Sequence, residues 1–361
     1  MSLRIRDTLA LDEALRLLNP WQRDFPLVRE PFAVIAQALG WHTPDVLARL
    51  SALHDSGALS RIGGLFAAEA GGAALLAAMA VPPERLDTVA HLVSAHPGVN
   101  HNYERENRYN LWFVMTAPCT SSLQQAMQDI ESATGLPALQ LRMLQPYRID
   151  LGFDLRHPVT DRPPMPVVSA PTPLSADALP LAALVETGLP LAERPFDVWA
   201  KTLGCSTESV LAMLQTWLQV GTLRRFGMVV RHHELGFEAN AMTVFDVPDA
   251  QVDAGGARLA TYPGVTLAYR RERAMEWSYN LYCMVHGRHR TDVEQLVETM
   301  TVACGLTGLP RAMLFSRRRF KQVGARRFRP TQPASQQQMP MQPPSPAAPQ
   351  ATGSHHHAVT S

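Results

Sequence analysis

Most of the chain consists of two copies of one sequence unit, and this duplication limits the possible folds more than any other feature. Four segments recur in the same order: REPFAVIAQALG and ERPFDVWAKTLG, SGALSRIGGL and VGTLRRFGMV, PGVNHNYERE and PGVTLAYRRE, YNLWFVM and YNLYCMV. The offset between copies grows from 164 residues (Gly40 to Gly204) to 170 residues (Tyr109 to Tyr279). Short insertions therefore separate two related units of roughly 150 residues each.

Each copy combines a helical segment with an alternating strand and helix segment. Three helices come first, and the third spans Thr43 to His54 in the first copy and Ser206, as N-cap, to Leu218 in the second. Short strands follow at residues 59–65 and 223–230, a pattern typical of a winged helix-turn-helix. The rest of each copy has the ferredoxin-like order βαββαβ. The predicted fold class is α+β, a tandem duplication of a winged helix-turn-helix plus a ferredoxin-like unit.

Prolines mark the border between the copies. Residues 158–180 contain seven prolines, a density that excludes a helix or an inner strand and predicts an extended linker. Residues 331–361 show neither periodicity nor core-forming side chains and are predicted to be a disordered tail. The predicted domains are residues 1–157 and 181–330, joined by this linker.

Charge and cysteine content exclude several classes of protein. The 33 basic and 32 acidic residues nearly cancel, and a net charge of +1 is not typical of a chain that binds nucleic acid or an anionic membrane. No run approaches the roughly 18 apolar residues of a membrane span. The four cysteines form no CxxC pair, so a structural zinc site is not predicted and a reducing cytoplasm is the expected location.

The architecture resembles that of the Lrp/AsnC transcription regulators, but the helices that would contact DNA argue against DNA binding. Residues 206–220 contain no Lys or Arg, and residues 43–55 contain only Arg49. A recognition helix needs side chains that read bases and contact phosphates. A heme- or tetrapyrrole-responsive regulator of this type stays as the alternative function, and it would bind DNA with steep salt dependence.

Polar motifs that a hydrophobic core does not need follow the strands of both copies. They are HNYERE (101–106) and YNLWF (109–113) in the first copy, and RRFG (224–227), RHHELG (231–236), YRR (269–271) and YNLYCMVHG (279–287) in the second. Together they resemble the two halves of the fused, D–L-type siroheme decarboxylase subunits of heme d1 biosynthesis. The first copy resembles the D-type half and the second the L-type half. The sequence departs from this family pattern at two points. The first copy lacks the RHHELG motif, and the second copy has Leu267 at the position of His101.

The resemblance implies a cytoplasmic carboxy-lyase. Its substrate is siroheme, whose acetate side chains on rings C and D lose carbon dioxide to give 12,18-didecarboxysiroheme. No cofactor is implied, since the iron belongs to the substrate. The implied partners are siroheme and related siroheme decarboxylase subunits, with the two halves packed as a pseudo-dimer that can assemble further; neither DNA nor a membrane is expected. A non-catalytic partner that stabilises a sister decarboxylase is a further alternative.

The candidate site residues suit such a substrate. Siroheme is a flat macrocycle with many carboxylates, which favours arginine forks and aromatic walls. Loss of carbon dioxide leaves a carbanion-like methylene that needs a proton, and histidine is suited to supply it. The catalytic candidates are His101, His232, His233 and Tyr103. The substrate-binding candidates are Arg105, Arg224, Arg225, Asn240, Tyr269, Arg270, Arg271, Tyr279 and Trp112.

Several alternatives stay open at the level of sequence. An alternative to the catalytic role is that His101 or His232 ligates the substrate iron. Strand alternation predicts that His232 and His233 point to opposite faces, so only one of them is expected in a pocket. The larger Arg and His content of the second copy predicts that Arg225→Ala impairs siroheme binding more than the equivalent Arg61→Ala. The main rival to this interpretation is one composite pocket that spans both copies.

Overall fold

The computed structural model describes residues 8–149, 152, 171–237 and 239–329. The predicted tail and most of the predicted linker lie outside these residues. The last part of the predicted linker is described, and a helix already begins there at Leu179. All described residues belong to one structural unit, Met1–Thr331.

The described helices and strands follow the predicted order. The helices are α1 (Thr8–Leu18), α2 (Pro31–Leu39), α3 (Thr43–Asp55), α4 (Leu86–Ala95), α5 (Thr120–Thr134), α6 (Leu179–Thr187), α7 (Pro195–Leu203), α8 (Thr207–Gln219), α9 (Val252–Thr261) and α10 (Arg290–Ala303). The strands are β1 (Leu59–Phe66), β2 (Ala73–Met79), β3 (Val99–Arg105), β4 (Leu111–Ala117), β5 (Ala138–Leu141), β6 (Met143–Ile149), β7 (Leu223–Val230), β8 (Ala239–Phe245), β9 (Val265–Arg271), β10 (Leu281–Gly287) and β11 (Arg311–Gln322).

Local signals explain the two helix-turn-helix pairs, α2–α3 and α7–α8. Gly40 and Gly204 end α2 and α7 with φ angles of 71° and 66°, a left-handed conformation that glycine adopts without steric penalty. The Ser206 side chain accepts a hydrogen bond from the Ser209 backbone N–H at 3.1 Å, which confirms the predicted N-cap of α8.

The prediction of a wing in each copy is wrong, because the two copies share one strand pair instead. Strands β1 and β7 are antiparallel partners, so each copy contributes one strand rather than its own hairpin. Gly63 faces Gly227 in this pair, and Cβ atoms there would lie 2.6 Å from the Val185 carbonyl oxygen and 2.3 Å from the Gln22 carbonyl oxygen. Glycine therefore lets helical segments of both copies pack directly on the shared pair.

The other nine described strands form one sheet in the order β5-β2-β4-β3-β11-β8-β10-β9-β6. The orders β5-β2-β4-β3 and β11-β8-β10-β9 confirm the two predicted ferredoxin-like units. Strand β11 pairs first with β8 and then with β3 of the other copy, while β6 continues from β5 and pairs with β9. Strands β5 and β6 lie at opposite ends of this order, although only Arg142 separates them along the chain. The sheet must therefore curve so that its two edges come together.

Hydrophobic clusters lie on both faces of this sheet and among the helix-turn-helix segments. The helix-turn-helix segments of both copies share one core that includes Phe32, Phe196 and Phe226. Helices α4 and α5 cover the sheet in the first copy, and α9 and α10 cover it in the second. A further cluster combines aromatic residues of both copies on the opposite, concave face of the sheet. No helix among the described residues is long and apolar enough to cross a membrane.

Two equivalent arginines hold the strands that cross between the copies. Arg105 Nη1 donates a hydrogen bond to the Leu314 carbonyl oxygen at 2.9 Å, and Arg271 Nη1 donates one to the Leu141 carbonyl oxygen at 2.7 Å. The Arg271 guanidinium also lies 4.5 Å from the ring centroid of Tyr269. Because both copies make the same bond, it stabilises the strand exchange in both copies.

Replacement of Arg271 by alanine is expected to lower the free energy of unfolding by roughly 2–4 kcal/mol, because a charge-assisted hydrogen bond and a cation–π contact are lost together. Thermal unfolding should show a Tm several degrees lower. The adjacent Arg270→Ala is the matched control, since Arg270 pairs with the exposed Asp249 and its loss should cost less than about 1 kcal/mol. Equal Tm values for the two variants would contradict this role of Arg271.

Candidate active site

A cavity of about 400 Å³ lies beside the β3–β11 pairing. It is lined by Tyr103, His233, Phe237, Asn240, His286, Ser316, Arg317, Arg318, Arg319, Phe320 and Gln322. Of these residues only Tyr103 comes from the first copy, because β11 carries second-copy side chains onto the edge of the first-copy sheet. The cavity is therefore built by both copies. Its volume is in the range of small-molecule sites.

His101 and Tyr103 lie two residues apart on β3 and share one face of the strand. Their rings stack with centroids 6.4 Å apart and an interplanar angle of 14°. Burial, together with the charges of Arg61 and Arg231, lowers the pKa of His101 to about 4. The imidazole is therefore neutral at neutral pH, and a nearby anion would make it easier to protonate.

Arg61 and Arg225 occupy equivalent positions in the two copies but have different surroundings. The charge of Arg61 acts on His101, and its guanidinium packs against Gly324, where a Cβ would lie 3.0 Å from Arg61 Cζ. Arg225 is buried next to Gly152, in the copy that has leucine at the position of His101. The arginine beside a histidine is thus the one in the first copy.

The RHHELG motif adopts a different structure from the predicted strand. His232–Leu235 form a short 3-10 helix, and Gly236 follows with a φ angle of 87°. The prediction that His232 and His233 alternate between strand faces is therefore wrong. His233 lines the cavity, and the side chain of His232 lies outside the described structure.

Three consecutive arginines of β11 line the cavity, and each is paired with carboxylates. Arg317 lies 3.6 Å from Glu106 and 3.9 Å from Glu104. Arg318 pairs with Glu104 at 2.5 Å and with Asp87 at 2.8 Å. Arg319 pairs with Glu234 of the RHHELG motif. An anionic ligand would therefore compete with protein carboxylates for these guanidinium groups.

Asn240 is oriented by its neighbours. Its Oδ1 accepts a hydrogen bond from Ser316 Oγ at 2.7 Å and a longer one from Arg105 Nη1 at 3.5 Å. Since these donors fix the carbonyl end of the side chain, the amide NH₂ is the end left to bond a ligand in the cavity. Asn240 can thus donate to a carboxylate.

The catalytic candidate His101 is not among the residues that line the cavity. Eight of the nine substrate-binding candidates also lie outside its lining: Arg105, Trp112, Arg224, Arg225, Tyr269, Arg270, Arg271 and Tyr279. The three aromatic residues belong to the cluster on the concave face of the sheet. Arg224 and Arg225 lie on β7, and Arg270 pairs with acidic residues in and before α9. Among the residues that the structure describes, no three His, Cys, Asp or Glu side chains converge as a metal site.

Comparison of the two copies shows that the polar residues of the cavity differ between them; Asn240 was among the residues predicted from sequence, whereas His286 and Arg317 to Arg319 were not. His286, Asn240 and Arg317 to Arg319 have as equivalents Thr116, Ala74 and Leu144 to Pro146, and the equivalent of His101 is Leu267. Every one of these polar positions is apolar or uncharged in the other copy. The equivalent location, beside β6 and β9, therefore lacks the histidines and the arginine run that characterise the cavity.

Family profiles match the four segments of this architecture. The profile of the AsnC-like ligand binding domain matches residues 69–148 and 234–321. The profile of the siroheme decarboxylase NirDL-like HTH domain matches residues 15–59 and 181–224. Both copies thus carry both kinds of domain, as the fold shows.

Known siroheme decarboxylase subunits are similar to most of the chain or to one of its copies. The siroheme decarboxylase NirDL subunit of Paracoccus pantotrophus is 42% identical over 87% of this chain and 97% of its own length. The siroheme decarboxylase NirL subunit of Stutzerimonas stutzeri is 51% identical over 41% of this chain and 88% of its own. A crystal structure of the siroheme decarboxylase NirDL in complex with an iron-uroporphyrin III analogue has a TM-score of 0.62 and 31% identity, and covers 88% of this chain and 94% of that one. The chain therefore belongs to the family of fused, NirDL-type siroheme decarboxylases, which are carboxy-lyases.

Proposed function

We propose that this chain removes carbon dioxide from two acetate side chains of siroheme, giving 12,18-didecarboxysiroheme for heme d1 biosynthesis, and that it does so in the cavity beside β3 and β11. The observation that carries the proposal is the asymmetry between the copies. Histidine, arginine and amide side chains gather at one of two equivalent locations. That chemistry suits an anionic macrocycle, and the solved relative was crystallised with an iron-porphyrin ligand.

The residues around the cavity suggest a division of labour. Arg317, Arg318 and Arg319 would bind substrate carboxylates by charge-assisted hydrogen bonds, with Asn240 as a further donor. During the reaction the bond between the methylene and the carboxylate breaks and carbon dioxide leaves. The electron pair stays on the methylene, delocalised into the macrocycle, until a proton completes the methyl group. The protein must therefore hold the leaving carboxylate in place and supply one proton for each decarboxylation.

Two roles fit His101. A neutral imidazole, as its low pKa indicates, is the form that ligates iron. The same ring can donate a proton once substrate carboxylates nearby favour its charged form. Absorbance of bound siroheme separates these roles, because loss of an axial histidine shifts the iron-dependent bands whereas loss of a proton donor leaves them unchanged.

Anaerobic incubation of the purified chain with siroheme, followed by mass spectrometry of the tetrapyrrole, tests the proposed function. We expect the successive loss of two carbon dioxide units. Tight binding with no change of mass would instead support a non-catalytic partner of a sister decarboxylase. Binding to DNA that weakens steeply with salt would support the regulator alternative.

Arg61→Ala is expected to impair decarboxylation more than Arg225→Ala, because Arg61 acts on the candidate catalytic histidine His101, which stacks on the cavity residue Tyr103. This reverses the order predicted from sequence. We expect a loss of roughly tenfold or more in turnover for Arg61→Ala, which corresponds to an increase of about 1.4 kcal/mol in the activation free energy. Turnover measured at saturating siroheme makes the comparison, and equal losses in the two variants would show that both locations are used.

The proposed assembly is a pseudo-dimer of the two halves, supported by the strands that they share and exchange. Related decarboxylase subunits are the proposed protein partners, since the NirL subunit of the relative is a separate chain. No cofactor is proposed, because the iron enters with the substrate. We propose a cytoplasmic location, in keeping with the free thiols of all four cysteines.

A further inference from the structure

His286 lies in the wall between two cavities. It is near the end of β10, paired in register with Asn240 of β8, and it lines the cavity assigned to the substrate. It also lines a second cavity of about 490 Å³, whose other residues include the exposed Arg288, His289 and Asp292. Water can therefore reach one side of this imidazole while the other side faces the substrate cavity.

The hydrogen bonds of Thr266 fix the tautomer of the neutral His286 ring. Thr266 Oγ1 lies 3.2 Å from the Met284 carbonyl oxygen and 3.1 Å from His286 Nδ1. A hydroxyl has one proton, and the carbonyl can only accept it, so the hydroxyl accepts a hydrogen bond from Nδ1–H. The neutral ring therefore carries its proton on Nδ1, and Nε2 is the atom at which a second proton is gained and lost.

We propose that His286 is the proton donor of the decarboxylation and that it is reprotonated from the outer cavity. The inference rests on the proposed function and deepens it. Each turnover that releases carbon dioxide consumes one proton, and siroheme undergoes two such steps, so the donor must recover a proton between them. An imidazole between substrate and water meets this need, whereas His101 lies beside two buried or half-buried arginines, Arg61 and Arg231.

The electrostatic surroundings of His286 are consistent with this role. Burial and the charge of Arg105 lower its pKa to about 4, so the ring is neutral before substrate binds. Carboxylates of bound siroheme would oppose the Arg105 charge and favour uptake of a proton at Nε2. The proton would then be transferred from Nε2 to the methylene carbon as carbon dioxide leaves. His101 would remain available to ligate the substrate iron.

His286→Gln tests the proposal, with siroheme binding and turnover measured on the same protein. We expect the Kd from absorbance titration to stay within about threefold of wild type, while turnover falls by roughly 100-fold or more, the usual effect of losing a general acid. Added imidazole should partly restore turnover of His286→Ala. His91→Gln, an exposed histidine on α4, is the control and should behave as wild type.

Thr266→Val provides a second variant that keeps the imidazole but removes the partner of Nδ1. Its turnover should fall with binding unchanged. Wild-type turnover in His286→Gln would overturn the proposal, and so would a loss of binding equal to the loss of turnover. If wild-type protein binds siroheme but never changes its mass, the proposed function itself fails, and that outcome is distinct from a failure of His286.

Discussion

Replacement of His101 by alanine is expected to leave the chain folded and to reduce siroheme decarboxylation by roughly two orders of magnitude or more. The ring stacks on Tyr103, which lines the cavity, and it is neutral at neutral pH, so it contributes no ion pair to the fold. Its loss removes either the iron ligand or a proton donor from the site. Single-turnover mass spectrometry of the tetrapyrrole, with far-UV circular dichroism of the same sample, measures both expectations.

Leu267→Ala is a matched control for His101→Ala, because it truncates the equivalent position of the other copy. It should leave turnover of folded protein close to wild type, since the equivalent location has no histidine and no arginine run. Wild-type turnover in His101→Ala would assign the histidine to packing. Equal impairment in both variants would show that the two locations cooperate.

Substitutions of the two partners of the Arg319–Glu234 ion pair are expected to have opposite effects on the affinity for siroheme. Arg319→Ala should weaken binding by roughly 10- to 100-fold, because a charge-assisted bond to a carboxylate contributes about 1.5–3 kcal/mol. Glu234→Gln should strengthen binding by about threefold, because it removes the carboxylate that competes with the substrate for Arg319. Absorbance titration with siroheme gives both Kd values.

Salt and a distant arginine provide the controls for this pair. Arg270→Ala changes the net charge equally but lies outside the cavity, so its Kd should stay near the wild-type value. The effect of Arg319→Ala should shrink at high ionic strength, which screens partly exposed charges. If both Arg319→Ala and Glu234→Gln weaken binding, the ion pair serves to hold the RHHELG segment in place and does not compete with substrate.

The elements of the fold could be predicted because their signals are local. The apolar spacing, Ser206 and the glycines at 40 and 204 define the helix-turn-helix pairs without reference to the rest of the chain. The strand exchange had no such signal, since Pro146 interrupts the pattern of β6 and arginines occupy the centre of β11. Both strands are stabilised by partners in the other copy, which a reading of one copy cannot reveal.

The candidate site was predictable only where its residues fall within unusual motifs. Tyr103, His233 and Asn240 were identified in this way and line the cavity. His286 ends an apolar strand, where a single polar residue resembles an ordinary strand end. Arginine runs such as 317–319 usually lie in solvent, and only their contrast with Leu144 to Pro146 shows that the copies have diverged. Residue type alone favoured Arg225 over Arg61, and it could not show that Arg225 is buried while the charge of Arg61 acts on His101.

The exchange of strands between the copies has a consequence for stoichiometry. A pair of two first-type halves would place His101 opposite Leu144 to Pro146, and a pair of two second-type halves would place Leu267 opposite Arg317 to Arg319. If the cavity is the active site, as proposed, only the mixed pair completes it, and the equivalent location of that pair lacks its histidines and its arginine run. Covalent fusion makes the mixed pair obligatory, because the partner half is always present at high effective concentration. A siroheme titration should therefore end at one equivalent per chain, and a chain with two pseudo-equivalent halves would behave as an enzyme with a single active site.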